Sequence, residues 1–175
     1  RDAGHIALAA GIAGGADVIL IPELEYSIEN IAEKIASVKK SGRNFALVIV
    51  SEAVKTPEGE PVQVQYSDGQ FRYGGIGNYL GAQISEKTGV EARVTVLGHV
   101  QRGCPPTFTD RLLAAAFGVR AVNMIEEGKF DRMVAWKNRE VVDVSIEDAI
   151  AAYQAVEPDS SLVKTARGLG ISLGD

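Results

Sequence analysis

The sequence is poor in the residues that staple small secreted folds or build metal centres. Its 175 residues include one cysteine, Cys104, and two histidines. A lone cysteine excludes an internal disulfide framework and any multi-cysteine zinc site, and it suits a reducing cytoplasm. Positive charge is also short. Eighteen basic against 23 acidic residues leave a net charge of −5 and a pI near 5.1, so no broad footprint for nucleic acid or an anionic membrane is expected, only local basic pockets. Long apolar runs are missing too: the longest, "HIALAAGIAGGADVILIP", contains Asp17 and several glycines and breaks into a helix and a strand, which excludes a membrane span. No signal-peptide pattern precedes Arg1, and the opening residue is not methionine; this reads as a piece of a larger cytoplasmic protein.

What remains is an alternation of two periods. "GHIALAAGIAGG" reads as a helix packed closely on a sheet, and "DVILIPE" as a β-branched strand stopped by Pro22. "SIENIAEKIASVKKSG" predicts a helix capped by Ser27, with Ile28, Ile31, Ile35 and Val38 on one face and Gly42 past its end. "NFALVIVSEA" reads as a strand buried on both faces. Residues 53 to 74 interrupt this rhythm with a small β-hairpin arm, in which "VQVQY" and "QFRY" flank the turn "SDG".

Further on, "GIGNYLGAQISEKTG" predicts a helix, "ARVTVLGHV" a strand, and "PTFTDRLLAAAFGVRAVNMIEEG" a long helix opened by Pro106 or a threonine cap. Two short strands, a capped helix "SIEDAIAAY" and a tail helix complete the chain. The implied fold class is α/β, a three-layer sandwich with a mostly parallel sheet. Ligands of such folds sit at the carboxyl ends of the strands.

Those ends carry Glu23, Glu52, and His99 with Arg102 just beyond. Carboxylates accept hydrogen bonds from sugar hydroxyls, while an arginine fork and a protonatable imidazole match phosphate oxygens. A sugar phosphate suits the set together. Taken singly, a strand-end glutamate also reads as a solvated or capping residue, and the His–Arg pair as surface ion pairing.

Wording adds to chemistry. "LGHVQRG" followed by "P..TDR", together with "RDAGHIALAAGIAGGADVILIPE" and "VIVSEA", resembles the 6-phosphofructokinase family in three segments, in the family's order, over roughly residues 1 to 120. The resemblance implies the C-terminal, sugar-phosphate-binding half of an enzyme that makes fructose 1,6-bisphosphate from fructose 6-phosphate, with ATP or pyrophosphate as donor and Mg2+ bound mainly through the donor and the upstream half. Residues 1–100 correspond to the sugar-phosphate part and 101–175 to a long helix, short strands and C-terminal helices.

By that resemblance Arg1 lies near the transferred phosphoryl group, Glu52 holds a sugar hydroxyl, and His99 and Arg102 hold the 6-phosphate. Arg93 reaches the 6-phosphate in a neighbouring subunit of a dimer or tetramer with shared sites. Spacing points the same way: along a strand, Arg93 and His99 lie ~20 Å apart and do not grip one phosphate.

Gly15, Asp17 and Arg43 match the family's effector-nucleotide residues, although Ser41 stands where a lysine is usual, which puts that regulation in doubt. Cys104 and Pro105 replace a glycine and a small polar residue after Arg102, and the thiol reads as packed and inert. The hairpin resembles the family's longer members, among which pyrophosphate users are frequent. The donor loop and catalytic aspartate, which the family carries upstream, are not found here. The chain alone is therefore expected to be inactive. A non-catalytic sugar-phosphate or nucleotide sensor module is the alternative; a dinucleotide-binding domain lacks its glycine fingerprint directly after a strand.

Overall fold

The computed structural model describes residues 2–65, 67–151 and 153–175. In chain order the elements are α1 (His5–Gly14), β1 (Val18–Leu20), α2 (Ile28–Lys40), β2 (Val48–Val50), β3 (Gln63–Gln65), β4 (Phe71–Tyr73), α3 (Ile76–Thr88), a 3-10 turn (Gly98–Arg102), α4 (Phe108–Glu126), β5 (Arg132–Lys137), β6 (Glu140–Ser145), α5 (Ile146–Ala151) and α6 (Ser161–Gly168). They form two compact units: the chain up to Val96 with Gln154–Asp175, and Leu97–Tyr153. Among the described residues no helix is long and apolar enough to cross a membrane.

The first unit is a three-layer α/β/α sandwich. Parallel β1 and β2 pair Val18 with Val48 through Leu20 with Val50, and Ser172 adds a parallel bridge on the other side of β1. Because side chains alternate along a strand, Ile19 faces Leu8 of α1 with Val163 and Ala166 of α6, while Val18 and Leu20 face Ile31 and Ile35 of α2 with Leu80 and Ile84 of α3. Each fully buried Leu or Ile of these layers contributes roughly 1.5–3 kcal/mol.

The caps follow the expected chemistry. Ser27 accepts the Asn30 amide at the start of α2, and Ser160 opens α6 in the same way. The 53–74 arm is the β3–β4 hairpin, with Gln63 paired to Tyr73.

Two expectations are corrected. No strand forms over "ARVTVLGHV": residues 90–97 are exposed and without a ladder, and Gly98, at φ 49°, turns the chain into the 3-10 segment. Alternation supplies a face but not a neighbour, and a strand exists only when another backbone pairs with it. Here Val94 lies instead against Gly77 and Gly81 of α3, where a β-carbon added to either glycine would stand 3.1 and 2.9 Å from its methyls. Likewise the strand read in "NFALVIVSEA" pairs only over Val48–Val50.

In the second unit Thr107 caps α4 and Asp110 returns the bond to the Thr107 amide, a complete capping box. β5 and β6 form a hairpin through Asn138 and Arg139, both at positive φ. Arg120 donates to Asp143 and Glu127, and Arg132 also donates to Asp143. Those two guanidiniums, Arg120 first, hold the Asp143 carboxyl down at about 2. Met124 is the one buried hydrophobic side chain among the unit's described residues.

Candidate functional site

The carboxyl ends of β1 and β2 are sewn to the residues before α1. Glu23, just past β1, accepts the Gly4 amide at both carboxylate oxygens (3.0 and 3.2 Å) and the Val156 amide at 2.9 Å. Three bonds to backbone amides commit this carboxylate to the fold, so the capping role weighed for it in the sequence is what the structure displays. Gly4 must be glycine: a β-carbon there would stand 2.3 Å from that of Ile21. Beside it, the Ser51 hydroxyl donates to the Ala3 carbonyl at 3.4 Å.

Glu52 follows directly. It is exposed, and among the described residues its carboxylate accepts no hydrogen bond and forms no ion pair. An exposed, uncommitted acceptor at a strand's carboxyl end is suited to a ligand hydroxyl. The hairpin's return strand brings Tyr73 to the same place. Burial first, then the Asp2 and Glu52 carboxylates, keep its proton on above the usual phenol range. Nothing in the sequence joins Tyr73 to Asp2, which lie 71 positions apart, so the pair is visible only in the folded chain.

Arg93 sits elsewhere in this unit. The Ala92 amide donates to Ser85 in the last turns of α3, whereas Tyr73 leads into its first turn, a separation of roughly 15 Å along the helix axis. Arg93 is 88% exposed and bonds Glu91 at 3.1 Å. Arg1 lies outside the described residues.

Asp17 and Arg43 do come together. Gly15 caps α1 in the left-handed conformation. Asp17 is buried and accepts from both guanidinium nitrogens of Arg43 and from the Leu47 amide, while the Arg43 plane lies 4.9 Å over Phe45.

In the second unit His99 and Arg102 lie on the 3-10 turn. With three residues per turn, positions three apart share a face. Both side chains are exposed, and neither has an acidic partner among the described residues. Arg102 offers a planar fork of donors and His99 an imidazole N–H, chemistry suited to an anion. Cys104 follows and is exposed, not packed as expected. No three His, Cys, Asp or Glu side chains among the described residues group as a metal site.

Residues 1–125 match the phosphofructokinase family. The whole chain is 62% identical to ATP-dependent 6-phosphofructokinase 1 of Nostoc sp. and 59% identical to its namesake in Synechocystis sp., covering 49% and 48% of those proteins. It thus spans about half the length of the curated relatives it matches. In fold it is similar to a crystal structure of the pyrophosphate-dependent phosphofructokinase of Nitrosospira multiformis, with a TM-score of 0.72 at 22% identity, over 100% of this chain and 46% of that one. Pichia pastoris phosphofructokinase in the T-state gives 0.67 at 28% identity, over 97% and 17%.

Proposed function

Since the chain belongs to the phosphofructokinase family, we propose that it is the acceptor-binding half of a cytoplasmic 6-phosphofructokinase. That enzyme transfers the terminal phosphoryl group of ATP to the 1-hydroxyl of fructose 6-phosphate, in glycolysis. The observation that carries this reading is the 3-10 turn, where His99 and Arg102 share one face without a carboxylate to neutralise them. A sugar 6-phosphate supplies the missing charge.

In this reading Glu52 accepts a sugar hydroxyl, and Arg1 stands near the phosphoryl group in transit. Arg93 serves the 6-phosphate of a neighbouring subunit in a homo-oligomer. Its exposed pair with Glu91 is of the kind worth ~0–1 kcal/mol, so a phosphate displaces it at little cost. The names carried by the relatives favour ATP over pyrophosphate as donor. An effector phosphate would compete with Asp17 for Arg43, which favours a structural role for Gly15, Asp17 and Arg43.

Donor binding and the base that takes the 1-hydroxyl proton belong to the upstream half. A second observation supports such a half. In α4, Phe108, Leu112, Ala115, Val119 and Val122 repeat at alternating steps of four and three, yet Phe108, Leu112, Val119 and Val122 are all exposed. A helix with an exposed apolar face is suited to form one layer of a larger core.

The test compares this chain with the full-length protein in a coupled assay for fructose 1,6-bisphosphate. The full-length protein is expected to turn over with ATP and the chain alone to produce none. Sugar-phosphate binding by the full-length protein without turnover on either donor would establish the sensor reading instead.

A further inference from the structure

We infer that Glu23 is a positioning residue of the acceptor site: its carboxylate holds the turn before α1, and through Ala3 and Ser51 that turn sets the backbone that presents Glu52. This rests on the reading of Glu52 as a sugar-binding residue.

The carboxylate is itself placed by local sequence. In "IPEL" the Leu24 amide returns to the Ile21 carbonyl at 3.3 Å, closing a four-residue turn with Pro22 at its second position, where the ring's fixed φ is favourable. Ile21 is buried, so the turn is anchored at the end of β1.

From there Glu23 joins two segments that are distant in the chain. It accepts the Gly4 amide at 3.0 and 3.2 Å and the Val156 amide at 2.9 Å. Val156 is buried, and two residues before it the Gln154 carbonyl accepts the His5 ring N–H at 2.9 Å. Glu23 and His5 thus clasp residues 154–156 to the start of α1.

The route from this clasp to Glu52 is short. Ala3, next to Gly4, accepts the Ser51 hydroxyl at its carbonyl, at 3.4 Å. Ser51 also donates its amide to the Leu20 carbonyl at 3.0 Å and accepts the Val54 amide at 3.1 Å. All of its polar groups are committed, and Glu52 is the next residue. A side chain without partners of its own takes its aim from its backbone. Glu23 touches no reacting atom; it acts through Glu52.

The experiment uses the full-length protein carrying Glu23→Gln, Glu52→Gln, or both, with Ser51→Ala as a separate variant. Glutamine keeps the shape of Glu23 but puts an NH2 donor where an oxygen accepted, so a backbone amide is left facing a donor. In Glu23→Gln the KM for fructose 6-phosphate should rise about tenfold, the size set by one hydrogen bond to a charged group. The KM for ATP and kcat should change less than about twofold, as for loss of uniform binding. With Glu52 already glutamine, Glu23→Gln should add less than about twofold, because its route to the sugar is gone. A carboxylate that only supports the fold would multiply the two penalties instead. Hydrogen exchange gives a readout independent of turnover: Glu23→Gln should speed exchange at the Gly4 and Val156 amides and leave α2 unchanged. Ser51→Ala cuts the link to Ala3 alone and keeps the route testable if Glu23→Gln does not fold. It should raise the sugar KM with Val156 exchange at the parental rate.

An unaltered sugar KM in Glu23→Gln or Ser51→Ala, penalties that multiply in the double variant, or unaltered exchange at Gly4 and Val156 would each overturn the proposal. In those cases the unsubstituted protein still phosphorylates fructose 6-phosphate, and the functional reading stands. If it neither binds nor phosphorylates that sugar, the functional reading fails and the proposal falls with it.

Discussion

Asp17 grips Arg43 with both carboxylate oxygens, at 2.6 and 3.1 Å, and the second of those oxygens also takes the Leu47 amide at 2.8 Å. The pair joins the loop before β1 to the loop before β2, so it sets the register in which the parallel strands meet. Asp17→Ala leaves a backbone donor and a guanidinium without their acceptor. The expected cost is ~3 kcal/mol, seen as a lower urea midpoint. Arg43→Ala should cost about as much, because it strands the buried carboxylate. If both variants melt like the parent, the pair is not structural and the effector reading regains ground.

Asp143 makes the second unit sensitive to acid. Its folded carboxyl, held by Arg120 and then Arg132, titrates at about 2, while an unfolded aspartate titrates near 3.9. A folded value below the unfolded one means that the contribution is complete above about pH 4 and is lost as the pH falls through about 2. Trp136, the chain's one tryptophan, lies on β5 next to this network. Its fluorescence should therefore report loosening between about pH 4 and 2, and Asp143→Asn should flatten that change. An identical acid profile in the variant would exclude Asp143 as its cause.

Gly4 is a steric test of the strand-end turn. Its absent side chain is where the Ile21 β-carbon already stands, at 2.3 Å, with a Glu23 oxygen at 2.8 Å. Gly4→Ala should cost ~1–3 kcal/mol, as overpacking does, and should weaken sugar-phosphate binding by displacing Asp2 and Ala3. A variant with parental stability and affinity would show that the turn yields freely.

Glu52→Gln in the full-length protein keeps shape and removes charge. The sugar KM should rise by the equivalent of ~1.5–3 kcal/mol if the carboxylate accepts a hydroxyl. An unchanged KM would leave Glu52 a solvated residue.

Arg93 and Arg102 can be placed by complementation. If Arg93 serves a neighbour's site, then mixing full-length Arg93→Ala and Arg102→Ala proteins under subunit exchange restores some sites with both cations. Activity that stays at the level of the unmixed variants, with exchange demonstrated, means that Arg93 works in its own chain or not at the substrate.

Local chemistry was readable in the sequence where it is decided locally. The Ser27 and Thr107 caps, the hairpin turn at 67–69 and the α4 span follow from side chains within four residues of where they act. Pairing was not. "RVTVL" has a strand's alternation, yet its partner is a matter of the whole chain, and among the described residues it has none. The site divides in the same way: Glu52, His99 and Arg102 could be named from strand ends and wording, whereas Glu23 on Gly4 and Val156, and Tyr73 near Asp2, exist only after distant segments meet.

The strand position beside β1 is taken by Ser172, whose amide and carbonyl bond Asp17 and Ile19, and whose neighbours Ile171 and Leu173 are buried with α1 and α6. The ribosome therefore releases everything up to Gly170 before the first unit's sheet has its outer row. The core between Ile19 and α1 waits on these residues. Domains usually form in the order of synthesis; this one must remain open at its edge until translation has passed residue 173, so a stop codon between Tyr153 and Leu173 strikes α1 and β1 as hard as it strikes α6.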